Sequence, residues 1–149
     1  MPGLKHFAAL TAAVLALFAC AITGAATPAL SVQDAWVRTT PGSDVAAAYL
    51  TLHNSGRAAV VIVGVSSPWG GEAMIHESTL ANGQYSMRAH PQLRIAPGET
   101  VQLAPGGLHI MLHGLGRPLL PGEEVPLLLR LEDGSTVSVS ARVRALGAG

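Results

Sequence analysis

The stretch Glu72–His90, EAMIHESTLANGQYSMRAH, decides how this chain is read. At its centre stands Asn82-Gly83, the dipeptide that suits a two-residue type I′ turn because both positions need positive φ. Apolar and polar residues alternate on either side, the pattern of a half-buried strand. A two-residue loop fixes the register: Ala81 faces Gln84, Ser78 faces Met87 and His76 faces Ala89. His76 and Met87 then share one face as diagonal neighbours, about 7–8 Å apart between backbones and within reach of each other's side chains. Met74 extends that face by one step.

The same period continues outward. Val32 to Arg38, Ala46 to His53, Val60 to Val65, Met74 to Ser78, Tyr85 to Ala89, Thr100 to Leu103, Leu108 to His113, Val125 to Leu131 and Thr136 to Val143 read as short strands. They are separated by PGSD, NSG, SPWGG, ANG, APGE, APGG, PGEE and EDGS, all turn-forming clusters. TVSVSARV alternates and predicts one solvated face, whereas VPLLLRL reads as a strand buried on both sides. Outside the leader no segment carries a useful helical period. Many short strands with Gly/Pro turns predict a single all-β domain, a sandwich or a barrel.

The domain does not begin at residue 1. Lys5, an apolar run from Phe7 to Ile22 and the small residues that follow have the layout of a secretory signal peptide. Residues 1–26 are therefore assigned to the signal and 27–149 to the domain. The run is on the short side for a spanning helix. Leu17-Phe18-Ala19-Cys20 also resembles a lipobox, the alternative in which cleavage precedes Cys20 and the chain stays lipid-anchored. Either reading puts the mature domain outside the cytoplasm, in the periplasm.

Cys20 is the single cysteine of the 149 residues. The domain accordingly holds neither disulfide nor thiolate, although its compartment permits disulfides. With Lys5 removed, eight arginines face nine Asp and Glu, a net charge of −1. That balance offers no basic patch for nucleic acid.

The chemistry-bearing residues cluster. Met74, His76, Met87, His90, His109, Met111 and His113 fall in one 40-residue window. In LHIMLHG, 108–114, the side chains of His109, Met111 and His113 share a face because i and i+2 on a strand do so. If that strand approaches the 72–90 hairpin, two imidazoles and two thioethers converge. Thioether is a soft ligand and imidazole a borderline one, a set that selects Cu(I) over Zn(II) or Mg(II). The missing thiolate excludes a blue-copper electron carrier. The chain has no Cys–His pair and no G-x-S-x-G, so it is expected not to be an enzyme.

His76, ten residues, Met87, twenty-one residues, His109, one residue, Met111: this spacing resembles the H(M)x10Mx21HxM signature of periplasmic PCu(A)C-type copper chaperones at all four positions. DAWVR (34–38), AAAYLTL (46–52), PGGLHIMLHGL (105–115) and RPLLPGEEVPLLLRLEDG (117–134) are also similar to that family, so the resemblance covers nearly all of Val32 to Val143. It implies a cupredoxin-like Greek-key β-sandwich that binds one Cu(I) through His76, Met87, His109 and Met111. It further implies delivery of copper toward the binuclear copper centre of cytochrome c oxidase, to an oxidase subunit or another copper chaperone as acceptor. His113 departs from the family pattern.

Simpler readings stand beside these. His113 lies two residues, about 7 Å, beyond Met111 and reads as a solvated or core-edge histidine. Met74 reads as core filler, with auxiliary ligation as the alternative for both. His113 or His90 joining the set would accommodate Cu(II). His90, before Pro91, is otherwise expected in solvent, and His53 at a strand end has no expected role. Trp36 and Tyr49 read as core aromatics. Trp69 sits in a loop where it could shield the site or meet a partner. The functional alternatives are copper buffering or uptake without a dedicated acceptor, and a metal-free envelope interaction module.

Overall fold

The computed structural model describes residues 29–69 and 71–147. The expected signal segment, with Lys5 and Cys20, lies outside the described residues. The rest is all β: β1 (Leu30–Thr39), β2 (Ala46–Asn54), β3 (Val60–Ser66), β4 (Glu72–Ala81), β5 (Gln84–His90), β6 (Leu93–Ile95), β7 (Thr100–Leu103), β8 (Leu108–His113), β9 (Glu124–Leu131) and β10 (Thr136–Arg144). The expected strands match these to within two or three residues at each end. β6 is the exception: three residues after Pro91 are too few to show a period, and pairing with Val60–Ile62 of β3 makes it a strand.

The strands form one hydrogen-bonded path, β5-β4-β8-β2-β1-β10-β9-β3-β6, with β7 also paired to β2. β7 and β8 share one edge of β2, Leu103–Thr100 against Leu50–His53 and Leu112–Ile110 against Ala46–Ala48. All pairs are antiparallel except β1 with β10. The path turns over so that both halves direct one face to a common core. Val37, Leu50, Leu52, Ile62, Ile75, Ile95, Ile110, Leu112, Leu127, Leu129 and Val143 meet there. This is the cupredoxin-like sandwich architecture. β5 contributes nothing to the core.

Two places depart from simple alternation. The VPLLLRL strand is buried on one face only: Leu127 and Leu129 face the core, but Leu128 is exposed. Flanking strands on both sides protect the backbone of β9, and that protection does not require both faces to be apolar. In β1, one extra residue between Gln33 and Trp36 forms a bulge, with Asp34 at φ 52°. Val32 is opposite core residue Leu52, so simple alternation would also turn Trp36 inward. The bulge reverses the parity: Val37 faces the core and Trp36 the opposite side.

Asn54 ends β2 and is fully buried. Its side-chain amide donates to the carbonyls of Ala58 (2.8 Å) and Ile95 (3.1 Å), and its Oδ1 accepts from the Gly56 amide (2.9 Å). One side chain thereby ties the NSG turn to β6.

Candidate metal centre

The hairpin register matches the sequence expectation pair by pair: Ala81 with Gln84, Ser78 with Met87, His76 with Ala89. Asn82 and Gly83 both have positive φ, 52° and 74°, as the type I′ turn requires. His76 Nδ1 lies 3.2 Å from Met87 Sδ. Two ligands about 2.0 and 2.3 Å from one tetrahedral ion stand about 3.5 Å apart, so this pair already has the spacing of two donors to one metal.

The second pair comes from β8, which lies antiparallel beside β4. His76 is directly opposite His109, Met74 opposite Met111 and Glu72 opposite His113. All these side chains point away from the core, because Ile75, Ile110 and Leu112 between them point into it. The His76 and His109 rings are 6.0 Å apart, nearly edge to face. Met87 is half exposed at 53%, whereas His109 is buried at 5%. The set is thus anchored on one side and open on the other.

His109 is held in one tautomer. Its Nδ1 stands 3.0 Å from the Gly107 carbonyl, which can only accept, so Nδ1 carries the proton and Nε2 keeps its lone pair. Nε2 makes no protein hydrogen bond among the described residues. It is not sealed off either, since no buried side-chain nitrogen or oxygen there lacks a partner. Orientation by a backbone carbonyl is the usual second support of a metal-binding histidine. Burial, followed by repulsion from His109 and His113, holds the His76 pKa below its ordinary value, against a smaller opposing pull from Glu72. His76 is therefore biased to the neutral, ligating form.

Among the described residues no three side chains of His, Cys, Asp and Glu converge as a metal cluster. A site on this face with three or four side-chain donors would include methionine sulfur, and that favours a soft ion.

Several expectations change. The His113 ring is 6.4 Å from that of His76, nearly as close as His109, so His113 borders the site rather than lying beyond it. Met74 is a half-buried neighbour of Met111 on the outer face, not a core filler. His90 is not in open solvent: it is opposite Ile75, on the other face of the hairpin, and bonds Glu77 at 2.8 Å. It cannot join the set as an auxiliary Cu(II) ligand without breaking the strand. Trp69 packs against the core, with the Arg117 guanidinium 4.1 Å over its ring. His53 meets Thr100 at 3.0 Å at the far end of β2.

Of the two expected core aromatics, Tyr49 is buried at 3% and Trp36 is half-buried, but neither joins the main apolar cluster. Trp36 and Tyr49 are cross-strand partners on the outer face, 4.6 Å apart, and the Tyr49 ring lies 6.4 Å from that of His109. Arg38 donates to the Tyr49 hydroxyl at 2.8 Å. Burial raises the Tyr49 pKa, and the Arg38 charge offsets part of that. Counting alternation back from Val37 instead of forward from Val32 would have revealed this face.

The end of β8 is held by a close approach. Gly71, at φ +78°, lies so near the His113 carbonyl that a Cβ there would come within 1.7 Å of the oxygen.

Fold and site together define an all-β domain with a neutral His/Met cluster on its outer face. The model of the "Putative lipoprotein LpqE-like" family matches residues 30–143, and the chain belongs to this PCuAC-type family of copper chaperones. The "Putative lipoprotein Lxx21020" of Leifsonia xyli subsp. xyli (strain CTCB07) is 37% identical over 142 residues, covering 89% of this chain and 85% of that protein. Among solved structures, CuI-DR1885 from Deinococcus radiodurans is 35% identical with a TM-score of 0.60, covering 80% of this chain and 83% of that one. Apo-DR1885 is 33% identical with a TM-score of 0.62, covering 100% and 97%. The copper-bound PCuAC domain from PmoF2 shares the fold at a TM-score of 0.66 and 23% identity, over 78% of this chain and 93% of that domain.

Proposed function

We propose that this protein carries Cu(I) as cargo in the cell envelope, bound by His76, Met87, His109 and Met111, one ion per domain. The observation that carries the reading is the 3.2 Å approach of His76 Nδ1 to Met87 Sδ on the face where His109 offers a bare Nε2. The Cu(I)-loaded DR1885, 35% identical, supports the choice of metal. The ligands are uncharged and the most exposed one is a thioether, so release proceeds by exchange: an acceptor's thiolate or imidazole enters as Met87 leaves. The ion keeps its oxidation state throughout: one coordinate bond to the acceptor forms as the bond to Met87 breaks.

Delivery toward the binuclear copper centre of cytochrome c oxidase is the route that the family resemblance supports, with buffering as the reading to exclude. The lipoprotein names of the family and of the relative favour acylation at Cys20 over a soluble periplasmic form. Mass spectrometry of the mature N-terminus decides between the two.

Anaerobic competition with a chromophoric Cu(I) chelator tests the site. One equivalent of Cu(I) should be withheld from the chelator by the wild type and surrendered by M87L/M111L. Unchanged affinity in that variant would overturn the ligand assignment. Transfer from the loaded protein to an apo oxidase copper domain, faster than dissociation into buffer, separates delivery from buffering.

A further inference from the structure

Two cross-strand rows run from the metal centre across the outer face, and both end in arginine. One passes from Met74 and Met111 through Ala47 to Arg38 and Arg144, on β4, β8, β2, β1 and β10. The other passes from His76 and His109 through Tyr49 and Trp36 to Arg142. Arg38 and Arg144 are direct partners on parallel strands, a like-charge placement that costs stability unless something answers it. Among the described residues, none of the three guanidiniums has a carboxylate in ion-pair range; the pairs that exist are Arg88–Glu77, His90–Glu77 and Arg117–Glu123. Glu124 is opposite Arg142 but accepts from the Ser140 hydroxyl instead.

Two of the three guanidiniums are nonetheless held in place. Arg38 bonds Tyr49, and Arg144 stacks 4.7 Å over the Trp36 ring. Stacking fixes an arginine while leaving its edge donors free. Arg38 also lines, with Thr39, Thr40, Ser43, Ala47 and Met111, a shallow hollow of about 210 Å³. A copper ligand and an unpaired guanidinium thus open into the same recess, two strand spacings or about 10 Å apart.

We propose that Arg38, Arg142 and Arg144 form the docking surface for an acidic face of the protein that receives the copper, seating that partner with its metal ligands over Met111 and Met87. This rests on the carrier reading above. Charge complementarity selects the occupant: unpaired, oriented guanidiniums beside a neutral metal site recognise carboxylates and steer their approach. A lipid surface fits less well, because the guanidiniums cover the Trp36 and Tyr49 rings that would have to insert.

The test uses the copper-free protein and two labelled peptides, each with a Cys-Gly-Gly-Cys loop, flanked in one by Asp and Glu and in the other by Asn and Gln. Fluorescence anisotropy at low salt should show the acidic peptide binding about tenfold more tightly than its neutral twin, with the difference lost in about 0.5 M salt. R38Q/R144Q should remove the preference, R144Q alone should weaken it, and R57Q/R94Q, with the same change in net charge, should keep it. Equal binding of the two peptides to the wild type overturns the proposal, as does equal loss in R57Q/R94Q. So does arginine-dependent binding to phosphatidylglycerol vesicles without a peptide preference. Chelator competition on the same samples separates the two readings. Cu(I) bound without a peptide preference sinks the docking surface alone; a preference without Cu(I) binding sinks the carrier reading.

Discussion

Asn54 and His109 are the two buried polar side chains among the described residues, and they use their polarity in opposite ways. Asn54 spends every side-chain donor and acceptor it needs on backbone partners, at 2.8, 2.9 and 3.1 Å. His109 commits one nitrogen to a backbone carbonyl and leaves the other uncommitted. That second nitrogen is not sealed from solvent, so it stays open to a partner from outside the chain at no burial penalty. The satisfied group holds a turn, and the open nitrogen of the other is the one that the proposed function assigns to the metal.

Exchanging the two roles by mutation tests the contrast. Asn54→Ala strands the Ala58 and Ile95 carbonyls and the Gly56 amide, and should cost about 3 kcal/mol of stability in urea unfolding while leaving Cu(I) affinity unchanged. His109→Ala should do the reverse: Cu(I) affinity falls about a hundredfold by chelator competition, while the melting temperature of the metal-free protein moves only slightly. Gly71→Ala lies between the two. Its Cβ would strike the His113 carbonyl at a positive φ, so it should cost about 2 kcal/mol and also weaken metal binding by displacing the end of β8.

The smallest effect is in pH. His76 binds its proton less readily in the folded chain than the ordinary histidine value near 6.5. As pH falls below about 6.5, the unfolded chain takes up this proton first, so metal-free stability declines through that window down to the folded pKa. Cu(I) affinity should fall only as pH drops through the folded-state pKa of His76, below the window in which metal-free stability declines. Affinity that stays flat from pH 8 to 5 would exclude histidine ligation.

What could be read in the sequence depended on how far each relation reached along the chain. The hairpin register was fully legible, because Asn82-Gly83 sets it from two residues. The pairing of His109 with Met111 was legible from strand parity alone. The approach of β8 to β4, which puts His76 opposite His109 and brings His113 alongside, is a long-range pairing with no local signal. Trp36 was misread because one bulged residue inverts parity, and no glycine marks the position; Asp34 carries the positive φ instead. Leu128 was misread because an interior strand protects its backbone with hydrogen bonds and still exposes one face. His90 was misread because its partner Glu77 lies thirteen residues away, across the hairpin.

β5 ends the hydrogen-bonded path, is paired to β4 alone and adds nothing to the core. A strand so placed is expected to open locally before the domain unfolds, and amide exchange in β5 faster than in β4 is the measurement that checks it. On the proposed ligand assignment, Met87 rides on this edge while His109, buried at 5%, sits on β8 beside β4. On that assignment cargo retention and fold integrity run on separate clocks, because letting go of the sulfur requires the hairpin edge to open and not the domain to unfold.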